Sequence, residues 1–401
     1  MKVLLVHNTY QQPGGEDVVC EQEHGLLVRA GHQVITYSRS NWEIQDSTRW
    51  ERIGLAYRTI WNEAARQEIL GLLRREGVDL VHVHNTFMMI SPSIFSACQE
   101  AGVPVVESVH NYRLFCPAAT FFRQGGVCEE CQEHSLWRGV RYGCYRGSRA
   151  ATGVVALMLA VNRRRRTWTE NVDGFIALTR FARLKLIEGG LPQEKITVKP
   201  NFVHPDPGEG LGPRDYALFV GRLSPEKGLS TLLAAWGKLR PSVPLLILGS
   251  GPERPALEDQ VSRQRLSSVE FRGQVSRPAT LAAMQGARFL VFSSEWYENF
   301  PVTIAEAFAC GTPVVGSRLG AIQEIVDDGR TGLHFAPSDA GELASRVEWA
   351  WDHPGEMRRM GGEARREFET KYTAEANYPL LLDAYHRAIA RREGVPAAAL
   401  G

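Results

Sequence analysis

Short continuous apolar runs alternate along the chain with longer amphipathic stretches. Lys2–His7, His32–Tyr37, Val78–His84, Val103–Val109, Val172–Leu178 and Lys195–Lys199 read as strands in the first half. Tyr216–Val220, Leu245–Leu248, Val269–Arg272, Phe289–Phe292, Thr312–Ser317 and Leu333–Phe335 do so in the second. Most are too apolar to alternate, the pattern of strands buried on both faces of a parallel sheet. Between them lie helical stretches: Glu16–Ala30 closed by Gly31, most of Asn41–Gly77, Glu342–Trp351, Glu356–Lys371 and Ala374–Arg392. Strand and helix in alternation predict an α/β chain with two Rossmann-like parallel-sheet domains. The proline- and glycine-dense segment His204–Pro213 is the linker. The expected domains are 1–203, with a cysteine-rich insertion at 116–144, and 214–373, with the helical segment 374–401 packing back on the first.

With 401 residues, 44% of them apolar, the chain is long enough for two cores. Its 46 basic and 45 acidic residues nearly cancel, which argues against a nucleic-acid partner. Met1–His7 is too short an apolar run for a secretory signal, and no stretch approaches the ~20 apolar residues of a membrane span. The expectation is a cytoplasmic protein whose seven cysteines stay reduced.

Candidate chemistry gathers at strand ends. Ser293–Pro313 reads as a loop and helix between two buried strands, with Pro301 in the first helical turn and Gly311 closing the helix. Glu298 lies at the strand's carboxyl end and Glu306 inside the helix among alanines, while the helix N-terminus offers free N–H groups to a phosphate. Arg222 and Lys227 occupy the first loop of the second domain, a planar donor fork and a point charge suited to a diphosphate. In the first domain the loop Asn8–Gly15 ends in paired glycines but lacks GxGxxG, which disfavours a bound dinucleotide.

Three features leave alternatives open. His110 ends a strand and reads either as structural or as a site residue. Cys128 and Cys131 form a CxxC; eleven residues separate Cys116 from Cys128 and twelve separate Cys131 from Cys144. That spacing fits a tetrahedral thiolate site for structural zinc, with His134 as a substitute ligand, or else buried thiols or disulfides. Ala150–Val161, followed by Arg163–Arg166 and Trp168, fits a helix lying on an anionic membrane surface, or a core helix with a solvated basic end.

Together, Gly221-Arg-Leu-Ser-Pro-Glu-Lys-Gly228, the Glu298…Glu306 spacing and Gly320–Gly332 resemble the retaining glycosyltransferases of family 4, with GT-B architecture, two such domains facing a cleft. Gly14-Gly15-Glu16 and His110 match the acceptor-side pattern of that family. The resemblance implies transfer of a sugar from a nucleotide-sugar donor to a hydroxyl of a glycan or lipid-linked acceptor. It implies that Arg222 and Lys227 neutralise the departing diphosphate and that Glu306 holds the ribose hydroxyls. Glu298 would contact the donor sugar, Asn299, Phe300, Pro301 and Val302 would supply backbone around it, Gly15 would pack near the diphosphate, and His110 would hydrogen-bond the sugar. No catalytic metal is expected, because two cations replace it. A sugar-nucleotide epimerase, a phosphorylase or a non-catalytic sugar-nucleotide-binding module on the same fold are the rival readings.

Overall fold

The computed structural model describes residues 1–11, 14–44, 49–210, 212, 214–240 and 242–395, with only the backbone at 44 and 49–53. Pro13 of the glycine loop, 45–48 of the helical region, Leu211 and Pro213 of the linker, and 396–401 lie outside the described residues. The chain divides into two units. One comprises Met1–Phe121, Cys128–Pro200 and the segment from Asn377 onward; the other comprises Phe122–Val127 and Asn201–Ala376.

In the first unit six parallel strands run in the spatial order Gln33–Ser40, Lys2–Thr9, Leu80–Val83, Val105–Val109, Gly174–Ala177, Ile196–Val198. Val3 to Val6 are wholly buried and lie between two neighbours, Val3 opposite both Val34 and Leu80. The helix Glu63–Glu76 before the third strand stops at Gly77 in a left-handed conformation. Chain order reverses between Lys2–Thr9 and Leu80–Val83, and ligands of open α/β sheets bind beyond the strand ends at such a reversal.

The second unit repeats the plan with the order Val269–Gly273, Leu245–Leu248, Ala217–Val220, Phe289–Phe292, Val314–Ser317, Gly332–Phe335. Its core joins Phe289, Val291, Leu245 and Ile247 of the sheet to Leu232, Trp236, Leu343 and Met360 of the helices. Here the reversal falls between Ala217–Val220 and Phe289–Phe292. The fifth strand begins at Val314 rather than Thr312. The Thr312 N–H is used by the preceding helix end, where it donates to the Ala307 carbonyl at 2.8 Å beside left-handed Gly311.

The helix expected at Ala150–Val161 spans Arg149–Arg164 and turns Val155, Ala156, Met158 and Leu159 inward. Trp168 is 6% exposed, so the expectation that it sits at a membrane surface is corrected. Its ring is part of the core. Arg163 donates to the Leu114 carbonyl at 2.8 Å, and Arg165 lies 4.1 Å over the Trp61 ring. No described helix is long and apolar enough to cross a membrane.

Against this helix, the strand Val105–Val109 places Glu107 in a cavity of about 50 Å³ lined by Leu114, Met158, Leu159 and Trp168. Its Oε2 is enclosed without a hydrogen-bond partner. Burial pushes the carboxyl up to about 8. The folded chain therefore keeps a proton that the unfolded chain loses near 4.5, and the stability this contributes fades as pH rises from there towards 8. Glu16, also raised to about 8, acts with the same sign. Thermal melts between roughly pH 6 and 8.5 should show Tm falling with pH, less steeply in Glu107→Gln. Equal slopes in the two proteins would contradict the placement of this carboxyl.

Candidate functional site

The site in the second unit is assembled by loops pressed against one another. Gly249 stands at φ 142°, where an added Cβ would lie 1.9 Å from the Gly221 carbonyl oxygen. A Cβ on Gly228, at φ 66°, would lie 2.2 Å from the Ser293 carbonyl oxygen. Only glycine accepts both the conformation and the approach. The Ser293 hydroxyl then donates to the Lys227 carbonyl at 2.8 Å, and the Glu295 N–H to the Glu226 carbonyl at 2.9 Å.

This fixes Lys227 against Glu298. Lys227 Nζ donates to Glu298 Oε1 at 2.6 Å, and the Ser294 hydroxyl donates to the same oxygen at 2.7 Å. The glutamate is 7% exposed. The ammonium lies 5.2 Å from the Trp296 ring centroid and 5.7 Å from that of Phe292. Arg222 is exposed and makes no ion pair among the described residues. One cation is thus held and the other is free to meet an incoming charge.

The helix Val302–Ala309 follows, with Pro301 as its N-cap and no side-chain capping bond. Pro301 therefore lies one position outside the helix, not in its first turn as expected. The first helical N–H groups have no intrahelical acceptor, as at any helix start. Phe300 packs edge-on to Tyr372, with centroids 5.6 Å apart, so its ring belongs to the core and its backbone to the site. Asn299 is buried beside it.

Farther along this helix Glu306 accepts from Arg277 Nε at 3.0 Å. Burial raises the Glu306 carboxyl, and the guanidinium opposes that rise. Arg277 Nη1 reaches the His204 carbonyl at 3.4 Å, while Nη2 is enclosed without a partner. Sequence reasoning missed Arg277. It opens the helix after the strand Val269–Gly273, the same strand-end position that singled out Arg222 and Lys227.

In the first unit Gly15 begins the helix Gly15–Arg29 and is exposed. The Gly14 N–H donates to Asp17 Oδ2 at 2.7 Å, and Asp17 Oδ1 lies 2.7 Å from His7 Nε2. Glu16 accepts from Asn85 Nδ2 at 2.8 Å. His110 immediately follows the strand Val105–Val109, and its Nε2 is 3.0 Å from His84 Nδ1. Burial pulls the His110 imidazole down to about 4, so it is neutral near pH 7.

The cysteines of the insertion are free thiols, Cys116 and Cys131 buried, Cys128 and Cys144 partly so. They are neighbours: burial first, then the charges of Cys116, Cys144 and Cys128, pushes the Cys131 thiol up to about 12. Among the described residues, however, only Glu23, His82 and His84 bring three ligand atoms within 4.8 Å of one another. Lys199 Nζ donates to Glu23 Oε1 at 2.6 Å, and His82 pairs through both ring nitrogens with Tyr385 and Ser108. With both His82 nitrogens taken and an ammonium on Glu23, that group is a buried charged network rather than an open metal centre, although Glu23 Oε2 and His84 Nε2 make no hydrogen bond.

Comparison with known proteins agrees in both halves. Residues 13–207 match the model of Glycosyltransferase Family 4, and 208–367 match that of glycosyl transferases group 1. A glycogen synthase of Mycobacterium tuberculosis is 36% identical over 159 residues, 39% of this chain and 38% of that protein. D-rhamnosyltransferase WbpZ of Pseudomonas aeruginosa is 32% identical over 168 residues, 41% of this chain and 43% of that protein. The matched stretch thus spans less than half the length of these relatives. The crystal structure of Anabaena HepE in complex with UDP superposes with a TM-score of 0.68 at 17% identity, covering 96% of this chain and all of that one. Two Rossmann-like units, a lysine–glutamate pair at the sheet reversal and consecutive family matches over 13–367 place this chain in the glycosyl transferases group 1, with GT-B architecture and a Glycosyltransferase Family 4 first half.

Proposed function

We propose that the chain is a retaining glycosyltransferase that moves a sugar from a nucleotide-sugar donor to a hydroxyl of a glycan or lipid-linked acceptor, in the synthesis of a surface polysaccharide or glycolipid. The observation that carries this reading is the Lys227–Glu298 pair, with exposed Arg222 on the same loop and the Glu306–Arg277 pair farther along the following helix. The UDP bound in the structurally similar HepE supports a nucleotide donor.

The residues suit the chemistry in order. A neutral ribose offers hydroxyl donors to Glu306, a carboxylate already oriented by Arg277. The diphosphate meets Arg222, Lys227 and the first N–H groups of the helix Val302–Ala309. As the glycosyl–phosphate bond breaks, charge grows on the leaving oxygen, and preorganised cations stabilise it more than they stabilise the bound donor. The acceptor oxygen bonds to the same face of the sugar carbon, and its proton passes to the leaving phosphate oxygen. Glu298, turned from Lys227 to the sugar hydroxyls, keeps the donor in register. A second reading, epimerase or phosphorylase, has no observation of its own here.

Arg222→Ala and Lys227→Ala should each lower turnover by ~100-fold, the usual loss for a charge-stabilising donor. Initial rates with a panel of UDP-, GDP-, ADP- and TDP-sugars measure this, and rates near wild type in both variants would remove the assignment. Transfer should persist in EDTA.

The cysteine neighbourhood is proposed to hold a structural zinc, with Cys116, Cys128, Cys131 and Cys144 as its ligands once metal draws the four thiolates together. Elemental analysis of purified protein should find about one zinc per chain, lost in Cys128→Ser/Cys131→Ser. No zinc in the wild type would end the proposal and leave the transferase reading untouched. Peripheral docking to an anionic surface rests on exposed Arg164, Arg165 and Arg166. Co-sedimentation with anionic liposomes should fade in high salt and after these are changed to Gln; no co-sedimentation at low salt would exclude it.

A further inference from the structure

His110 is tied to a chain of buried groups that runs away from the site. Its Nε2 faces His84 Nδ1 at 3.0 Å, the two rings nearly parallel at 14°. The opposite nitrogen of His84, Nε2, lies 3.5 Å from Glu23 Oε2. Both atoms are enclosed and neither has a hydrogen-bond partner, so this approach is electrostatic, and His82 Nδ1, itself paired with Tyr385, lies 3.6 Å from the same oxygen. The other oxygen of Glu23 accepts from Lys199 Nζ at 2.6 Å, and Lys199 also donates to Asn377 Oδ1 at 3.0 Å. Glu23 and Lys199 are 1% and 0% exposed.

A carboxylate only accepts, so the nitrogen that faces it must carry the proton. Were His84 Nε2 bare, a lone pair would be buried against a negative oxygen at 3.5 Å. With its single proton on Nε2, a neutral His84 presents a bare Nδ1 to His110. His110 Nε2 must then donate, which leaves His110 Nδ1 as its acceptor. No hydrogen bond to Nδ1 is made within the chain among the described residues. The remaining charged or titratable groups near His110 keep the same order. His82 is paired with Tyr385 and Ser108, His7 with Asp17, and Lys199 with Glu23.

The geometry points to Glu23 and His84 as positioning residues that fix His110 as its Nε2–H tautomer and present a bare Nδ1 to a sugar hydroxyl. This rests on the reading above in which His110 meets the donor sugar. The outer nitrogen then accepts a hydrogen bond and donates none, so the ligand group it selects is a hydroxyl or amide N–H. The relay works because Lys199 holds Glu23 ionised in the interior: burial acts against its charge, and the ammonium overcomes that and lowers its proton affinity.

Long-range proton–nitrogen NMR of the full chain, labelled with ¹⁵N-histidine and assigned with His110→Gln, tests the relay without any substrate. At neutral pH His110 should show a protonated Nε2 and an unprotonated Nδ1. His84→Phe removes the acceptor and should mix the two tautomers. His84→Asn keeps an oxygen where Nδ1 stood and should restore the single form. Turnover of the nucleotide sugar that the panel above identifies should follow, falling at least ~10-fold in His84→Phe and recovering in His84→Asn, as expected of a group that orients another. A wild-type His110 protonated at Nδ1, or a His84→Phe protein with an unchanged tautomer, would overturn the proposal. Full turnover in His110→Ala would instead refute the role of His110 at the sugar, while the spectra still decide the relay.

Discussion

Parallel pairing is the constraint from which the site follows. A strand that runs parallel to its neighbour must return by a crossover, so every strand of a sheet ends at the same edge. Six strands end together in each unit, and chain order reverses once in each. At the reversal the two adjacent loops diverge to opposite faces and leave their backbones open. Arg222, Lys227 and Glu298 stand at that edge in the second unit, with the helix of Glu306 next to them, and Gly15 and His110 at the same edge in the first. Gly228 and Gly249 let the loops close to contact without a Cβ between them.

Electrostatics divides the titratable groups into two sorts. In the second unit the pairs have covered carboxylates but cations that reach solvent: Lys227 with Glu298 and Arg277 with Glu306. Such pairs can exchange partners when a diphosphate or a sugar arrives, because solvent and ligand replace what is given up. In the first unit Glu23 and Lys199 are fully buried. Removing one member of a buried pair costs about 3–5 kcal/mol, since the other is left uncompensated. That pair cannot switch. It is suited to holding neighbouring imidazoles in one protonation state, and burial keeps those of His82, His84 and His110 neutral.

Much of this was legible in sequence. Runs such as Leu245–Leu248 and Phe289–Phe292 are strands because nothing else of that length is so apolar, and Arg222, Lys227, Glu298 and Glu306 followed from where those runs end. What stayed hidden depends on separation along the chain. Glu23 meets Lys199 176 positions away, and Arg277 meets Glu306 29 positions away, with no local pattern to announce either pair. Trp168 stayed open between two readings because a helix edged by arginines looks the same whether its apolar face meets lipid or core; only packing against the sheet decides. Pro301 moved one position because its fixed φ suits either place and its extended ψ of 96° delays the helix to Val302.

The central claim is that the strand-end loops of the second unit hold the diphosphate. Amide hydrogen exchange, followed by mass spectrometry with UDP, GDP and ADP in turn, tests it most directly. The diphosphate that binds should slow exchange at Gly221–Gly228 and at Glu298–Glu306, the loop and helix start that would close on it. Protection confined to other segments, or none with any of the three at saturating concentration, would contradict the account.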